Sequence, residues 1–586
     1  MLTPSQEEVT VQQRVAELER RFGDPADPDN PLGLDALLAA DERGELLAVA
    51  EEELTAYGLN AEFVPRRLGG RLDRIDTLGR VLRGVFRRDA SLGLGYGATS
   101  FLAAVAVWAG GTLEQQRRVA ELLLGGARLA IAYHELAHGN DFVRNEFGAT
   151  PTDDGFVMNG EKHVINNIER AEALVLFSRT DQAAGSRSHS VLLVDKSQLS
   201  ADRYSYLPRY ETVGVRGCQN AGIRFTDCPL PGDALVGKLG DGVELALRSF
   251  QITRSVLPSM ILGGGDTALR TAVGFALDRK LYHRSVLEIP HARATIVGAF
   301  TDLLISDCLA LAATRAVHLL PEATSVYAAA VKYLLPKLLT ETAYDLSIVL
   351  GANFYVRDGA YGAFQKHVRD LPMISLGHAG TAACQATIIP QLPRLARTAW
   401  LTGRAAPAGL FRVRDTLPPL DTDRLVLVAS GDELAGSLEG AAAHIAGDGR
   451  GRAGAYTEAL TALATALEEE LRSLKADCRA MPPKDRTVLA SPKAYAIADR
   501  YTLLLAGAAC LGVWRHQEPE DDVFLSSPAW LAAALTRLVK RLGHPLPELP
   551  DGWNDRLLDE VLNRYHEARS YDLYDTPIAG DPQTRC

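Results

Sequence analysis

Patterned cysteine is missing from this sequence. Its seven cysteines (Cys218, Cys228, Cys308, Cys384, Cys478, Cys510 and Cys586) are scattered, and none forms a CxxC pair. This excludes a zinc-ribbon spacing and a disulfide framework, so a reducing cytoplasm is the expected compartment. Excess positive charge is missing too. The net charge of −11 excludes a general nucleic-acid binder, because neutralising phosphates needs a basic face. The N-terminal stretch MLTPSQEEVTVQQRVAELERRF has no apolar signal core. No apolar run is expected to span a membrane, and the Ala/Leu-rich stretch around 501–515 reads as a buried helix. Neither a phosphate-cradling loop, nor a Ser-His-Asp arrangement, nor a repeat of fixed period can be read.

What is present is an ordinary globular composition, 47% hydrophobic and 23% charged, in a chain of 586 residues. That length predicts two to four domains. Apolar residues at three- and four-residue spacing predict helices over Val9–Phe22, Leu34–Ala50, Arg74–Arg87 and Leu113–Leu124, with Gly93-Leu-Gly-Tyr-Gly97 as punctuation. The period then changes. Short alternating runs, including Gly155–Met158, Ser190–Val194, Tyr210–Val215 and Ala221–Phe225, predict a small β-domain. Long helices return over Gly242–Tyr282, Ala292–Leu319, Glu322–Leu350 and Thr381–Ala399, as in an antiparallel bundle, with Gly263–Gly265 as an interruption that permits close packing. Residues 401–420 read as a linker. Beyond it, helices are expected over Arg424–Gly447, Tyr456–Cys478, Pro492–Gln517, Pro528–Leu542 and Asp555–Ser570, with an exposed loop at Gly447–Arg452. The boundaries are 1–128, 129–238, 239–402 and 403–586. The fold class is mainly α with a central β-domain.

The stretch AIAYHELAHGNDFVRNEFGATPTDDGFVMNGEKHVINNIERAEALVLFSRT, Ala130–Thr180, carries the most information. His134 and His138 flank Glu135 in a literal HExxH string. Gly139 follows at once, no third ligand is evident, and no metal site is expected. The stretch resembles the middle β-domain of the acyl-CoA dehydrogenases, whose pattern is TEPGxGSD followed by a strand pair ending NGxKxWITN. Six further stretches resemble that family in order: Gly69-Gly70 with Asp89–Leu92; Gly111-Thr-Leu-Glu-Gln-Gln116; Val213-Gly-Val-Arg-Gly-Cys218 with Ile223–Phe225; Thr253-Arg254; Asp278-Arg-Lys-Leu-Tyr-His-Arg284; and Arg369-Asp370 with Gly380-Thr381.

The resemblance implies N-terminal helices, a β-barrel-like middle domain, a four-helix bundle and, as in the acyl-CoA oxidases and very-long-chain enzymes, an extra C-terminal helical domain. It implies FAD, an acyl-CoA or acyl-carrier-protein substrate, α,β-oxidation of the acyl thioester, and a homodimer or homotetramer, with a hetero-oligomer as an alternative. Carried over by position, Tyr133, His134, Asn140, Val164, Asn166, Arg279, Tyr282, Gly351 and Thr381 fall on the cofactor, and Arg254 and His378 on the substrate. Several of these side chains differ from the family's. His134 and Asn140 replace a Thr and a Ser, Val164 replaces a Trp, Asn166 a Thr, and Ile348 a Gln. Both positions of the catalytic Glu are vacant, being Ala379 and Thr253 here. His378 adjoins the first and titrates near neutrality, against the competing reading of a loop or packing residue. Arg279 has a plain ion-pair reading, and Glu161, Asp370, His283, His291, His318 and His367 read as packing or ion-paired residues, the four histidines on helical stretches. An altered chemistry (a flavin hydroxylase, or acid/base catalysis without net oxidation) and a non-catalytic partner subunit stand as alternatives. Arg-rich, Lys-poor composition fits a high-GC bacterial genome. Such genomes often recruit this fold into specialised metabolism, which the resemblance then implies.

Overall fold

The computed structural model describes residues 4–139, 141–183, 185–377, 380–447, 451–520 and 522–580. Helices Pro4–Phe22, Leu34–Arg43, Ala48–Tyr57, Ile75–Arg88, Ala90–Gly110 and Leu113–Leu124 come first. The single helix expected over Leu34–Ala50 is two, because Gly44 takes a left-handed φ of 67° and caps the first. The glycines at 93–97 do not punctuate. The helix continues through them with a π-turn over Gly93–Ala98, and a Cβ at Gly93 would lie 2.6 Å from the Phe86 ring.

Three helices, Ala90–Gly110, Pro290–Leu319 and Pro492–His516, are long and apolar enough to cross a membrane, contrary to the sequence expectation. Their most apolar windows are 100%, 94% and 83% buried within the protein, so the core accounts for their composition.

The β-domain is one eight-stranded sheet: β1 Leu129–Ala132, β2 Gly148–Thr152, β3 Gly155–Asn166, β4 Ala173–Arg179, β5 His189–Asp195, β6 Tyr204–Leu207, β7 Asn220–Pro231 and β8 Leu235–Val236. The order is β6-β7-β3-β2-β4-β5-β8, with β1 parallel to β4. Alternating side chains of β3 and β7 form its separate apolar core with Phe147, Leu174 and Leu192. Tyr210–Val215, expected as a strand, is irregular, with Gly214 pressed against the Arg369 backbone.

The first bundle helix, Gly242–Asp278, runs unbroken through Gly263–Gly265. The absent side chain at Gly263 lets it meet the backbone of Arg83 and Arg87. It ends in a hairpin whose turn, Tyr282 and His283, has φ of 53° and 64°, so His283 is not helical. The second bundle helix is Pro290–Leu319 and the third Thr324–Leu350. Thr381–Ala399 splits into Thr381–Ile388 and Leu392–Thr398, since Pro390 and Pro393 cannot continue the first piece.

The stretch read as a linker is pinned by buried Leu410, Phe411 and Val413. Arg424–Gly447 is helical only over Glu433–Gly436 and Ala441–Ala446. Positions 448–450 of the expected loop lie outside the described residues. The remaining long helices are Thr457–Ala480, Pro492–His516, Pro528–Leu542 and Trp553–His566. Buried Asp432 accepts from Tyr327 (3.0 Å), Trp400 Nε1 (2.6 Å) and Tyr501 (2.8 Å), tying this region to the third bundle helix. The tail returns to the start of the chain: Asp572 pairs with Arg83 (3.3 Å), and the Ala579 amide donates to Glu19 (3.2 Å).

Candidate functional site

The HExxH string resolves into separate tasks. Glu135 accepts from buried Lys162 Nζ (2.7 Å) and from the amides of Glu146 (2.8 Å) and Phe147 (3.1 Å). Burial would push this carboxyl up, but Lys162 and the two amides hold it below the usual range. Burial lowers Lys162 to about 8 despite its partner. His134 Nδ1 meets the His163 carbonyl at 3.2 Å, and burial lowers its pKa. His138 Nε2 lies 3.5 Å from Glu146. These contacts fasten the turn onto β3.

Beside this fastening lies a row of unsatisfied groups. Tyr133 Oη, His163 Nδ1 and the Oδ1 atoms of Asn166 and Asn167 are buried without a hydrogen-bond partner among the described residues. The amide nitrogens of both asparagines are used: Asn166 donates to Thr99 Oγ1 (2.8 Å) and Asn167 to the Gly95 carbonyl, which the π-turn presents. Each buried polar atom left unpaired costs about 1–3 kcal/mol. A polar ligand against this face would remove that cost, and a flavin ring fits as its heteroatoms can bond along one edge. Val164 stands in the same row at φ 54°, where β3 slips register on β7. A β-branched residue is strained there, and Val164 offers no aromatic face.

On the bundle side an aromatic cluster closes the site. Tyr133 lies 5.4 Å from Phe177 and 6.1 Å from Phe250, and Phe142 lies 5.3 and 5.9 Å from the same two rings. His189 stacks on Phe177 at 4.7 Å. One turn along from Phe250, Thr253 is buried and its hydroxyl donates to the Phe250 carbonyl at 3.4 Å. Arg254, also buried, places its guanidinium 5.1 Å over the Phe250 ring and donates to Thr387 Oγ1 at 3.3 Å. Half-buried Thr381 opens the helix that carries Thr387. Asn140, His378 and Ala379 lie outside the described residues.

The expected cofactor residues do not form one group. Arg279 and Tyr282 lie exposed at the far end of the first bundle helix. Gly351, at φ 56°, ends the third at the same end of the bundle, where Tyr361 donates to Asp278 at 2.8 Å. Phe250 and Arg279 are 29 positions apart on this helix, roughly 44 Å at 1.5 Å per residue. Tyr133, His134, Val164 and Asn166 therefore cannot share a cleft of one chain with Arg279, Tyr282 and Gly351.

The Arg369-Asp370 motif holds the frame. Lys366 is buried between Asp89 (2.6 Å) and Asp370 (2.7 Å), with Asp41 at 3.8 Å. Asp370 also takes the Val215 amide at 2.6 Å. Burial alone would depress Lys366, but the three carboxylates hold it cationic. Glu161 bonds Arg224 and His163 on the sheet surface. His318 joins the Ile75 amide (3.1 Å) to the Pro418 carbonyl (2.9 Å).

Sequence reading missed Phe142, Phe177 and Phe250, which are ordinary core residues in a linear string. It also missed Lys332, a lysine flanked by Ala328, Ala329, Leu335 and Pro336 in an apolar helix. That isolation was the available signal.

Two family models match: the middle domain of acyl-CoA dehydrogenase over residues 130–228, and its C-terminal domain over residues 240–391. The mitochondrial isovaleryl-CoA dehydrogenase of Solanum tuberosum is 26% identical over 311 residues, 52% of this chain and 72% of the relative. Among solved structures, the prolyl acyl carrier protein oxidase AnaB superposes with a TM-score of 0.58 at 16% identity, covering 65% of this chain and 97% of AnaB. An FAD complex of PigA gives 0.59 at 18%, with the same coverage. The ordered motifs, the helix–sheet–bundle architecture and both domain matches converge: over residues 130–228 and 240–391 this chain matches the middle and C-terminal domains of the acyl-CoA dehydrogenases, whose fold it shares.

Proposed function

We propose that this chain is a flavoprotein that oxidises the α,β bond of an acyl thioester carried on CoA or a carrier protein. The observation that carries the reading is the set of buried atoms at Tyr133, His163, Asn166 and Asn167 that are unpaired among the described residues, with the Tyr133 ring 6.1 Å from Phe250 of the first bundle helix. FAD, when bound, supplies the hydride acceptor. The chain's residues do the rest. Tyr133 and Asn166 orient the ring, and the aromatic cluster excludes water, which strengthens every charge interaction in the site. Arg254 donates to the acyl group. His378, next to the vacated carboxylate, takes the α-proton. Arg279, Tyr282 and Gly351, being out of reach, serve the flavin of a second copy. The named relatives support both carriers: an isovaleryl-CoA enzyme and a prolyl-carrier oxidase.

A second reading, in which the fold is kept without dehydrogenation, is favoured by Thr253, whose hydroxyl is turned to the Phe250 carbonyl and is no substitute for a carboxylate. It covers an altered chemistry and a non-catalytic partner subunit. Purification and anaerobic titration decide. A yellow protein bleached by acyl thioesters supports the first reading. A colourless protein that FAD does not restore overturns both flavin readings. A yellow protein bleached only by a nicotinamide reductant indicates an oxygenase.

A further inference from the structure

Lys332 lies on the third bundle helix and is fully buried. Its Nζ has no hydrogen-bond partner among the described residues. Burial lowers its pKa to about 8, against the opposing effect of the Cys384 thiol and with a smaller lowering from Arg254. Arg254 shares the locus, and its Nε is likewise buried and unpartnered among the described residues. No salt bridge to either side chain is present there among the described residues. Two cations held close together in the interior, with no carboxylate paired to either among the described residues, is an arrangement that folding alone disfavours, since buried charges need pairing.

The backbone is opened at the same level. Pro258 and Pro336 stand within their helices four residues after Arg254 and Lys332. Each removes the N–H that would bond the carbonyl of the cation before it. Beside the cations are Phe250, Thr387 and the buried Cys384 thiol, which burial holds protonated. The locus adjoins Thr253 and the helix that begins at Thr381, the two places that bracket the proposed reaction.

We propose that Lys332 and Arg254 form a subsite for the free carboxylate of an acidic acyl group, so that the preferred substrate is a dicarboxylic acyl thioester. A carboxylate is the anion a slim chain can carry into an apolar helix interior, and it supplies the acceptors both cations lack. This rests on the acyl-thioester reading above.

The test measures equilibrium binding of matched CoA thioesters to the full chain: glutaryl against valeryl, and adipyl against hexanoyl. Flavin absorbance is followed in the same titrations. The wild type should bind the acid of at least one pair about tenfold to a hundredfold more tightly, as a hydrogen-bonded buried charge warrants. Lys332→Met should abolish that preference, and Lys332→Arg should keep part of it, with melting curves showing that each variant folds. Equal binding of acid and alkane in the wild type, no binding of either, or a preference that survives Lys332→Met overturns the subsite. Equal binding with bleaching overturns the subsite and leaves the reaction standing. Lys332-dependent binding without bleaching keeps the subsite and overturns the reaction. Bleaching lost in Lys332→Met with affinities unchanged makes Lys332 a proton acceptor and overturns the subsite.

Discussion

Replacing Lys332 by methionine should make the ligand-free protein more stable. Burial brings the lysine to about 8 from its ordinary 10.5, a gap equivalent to about 3.4 kcal/mol at 1.36 kcal/mol per pH unit. The sign follows from proton binding. Below pH 8 both folded and unfolded chains carry the proton, and the folded chain bears the full cost of the buried charge. Between about 8 and 10.5 the folded lysine is neutral while the unfolded one is still charged, so the cost shrinks. The Met side chain has similar length and no charge, so its advantage should be about 3 kcal/mol at pH 7 and about 1.4 kcal/mol at pH 9.5. With an unfolding entropy of about 2.1 cal/mol/K per residue, 3.4 kcal/mol raises Tm by about 3 °C if the whole chain melts as one unit. Calorimetry at the two pH values reads this directly. A Met variant that melts below the wild type at pH 7, or whose advantage is undiminished at pH 9.5, would refute the reasoning and point to a counter-charge at Lys332.

Glu135→Ala should cost about 3–5 kcal/mol, because it strands a buried ammonium and the buried Phe147 amide; chemical denaturation followed by near-UV dichroism checks it. Lys366→Met leaves Asp89 and Asp370 buried without their cation and should lose at least about 4 kcal/mol, seen as insoluble or aggregated protein on expression. Gly263→Val drives a side chain into the backbone of Arg83 and Arg87 and should cost about 3 kcal/mol or more, read from the denaturation midpoint. Arg279→Ala and Tyr282→Ala, both exposed, should shift stability by less than about 0.5 kcal/mol while lowering flavin content per chain, measured by absorbance after gel filtration.

Much of the fold was legible because period survives in sequence. Strands β3 and β7 alternate, and the bundle helices keep their apolar spacing over 27–37 residues. Boundaries failed where one residue's conformation decided: Gly44 broke a helix, whereas Gly93–Gly97 and Gly263–Gly265 did not. The difference lies in what each glycine meets, a turn at 44 and a neighbouring ring or backbone at 93 and 263. At the site, motif positions singled out Tyr133, Asn166 and Arg254, each of which carries a buried polar atom without a partner among the described residues. They could not show that Arg279 and Gly351 lie at the other end of the bundle, because distance along a helix is lost when residues are gathered into a pattern. Lys332 belonged to no pattern, and only burial reveals its consequence.

The tail from Tyr571 to Ala579 lies against Asp266, Arg83, Asp307 and Glu19. The N-terminal helix and the bundle therefore need residues 571–579 in place before their buried charges are fully matched. Until then a nascent chain carries Arg83, Arg87 and Asp307 with their partners incomplete, and N-terminal-first assembly stalls at that seam. Quality control acting on the emerging polypeptide would thus monitor residues 571–579 more stringently than their small share of the core suggests.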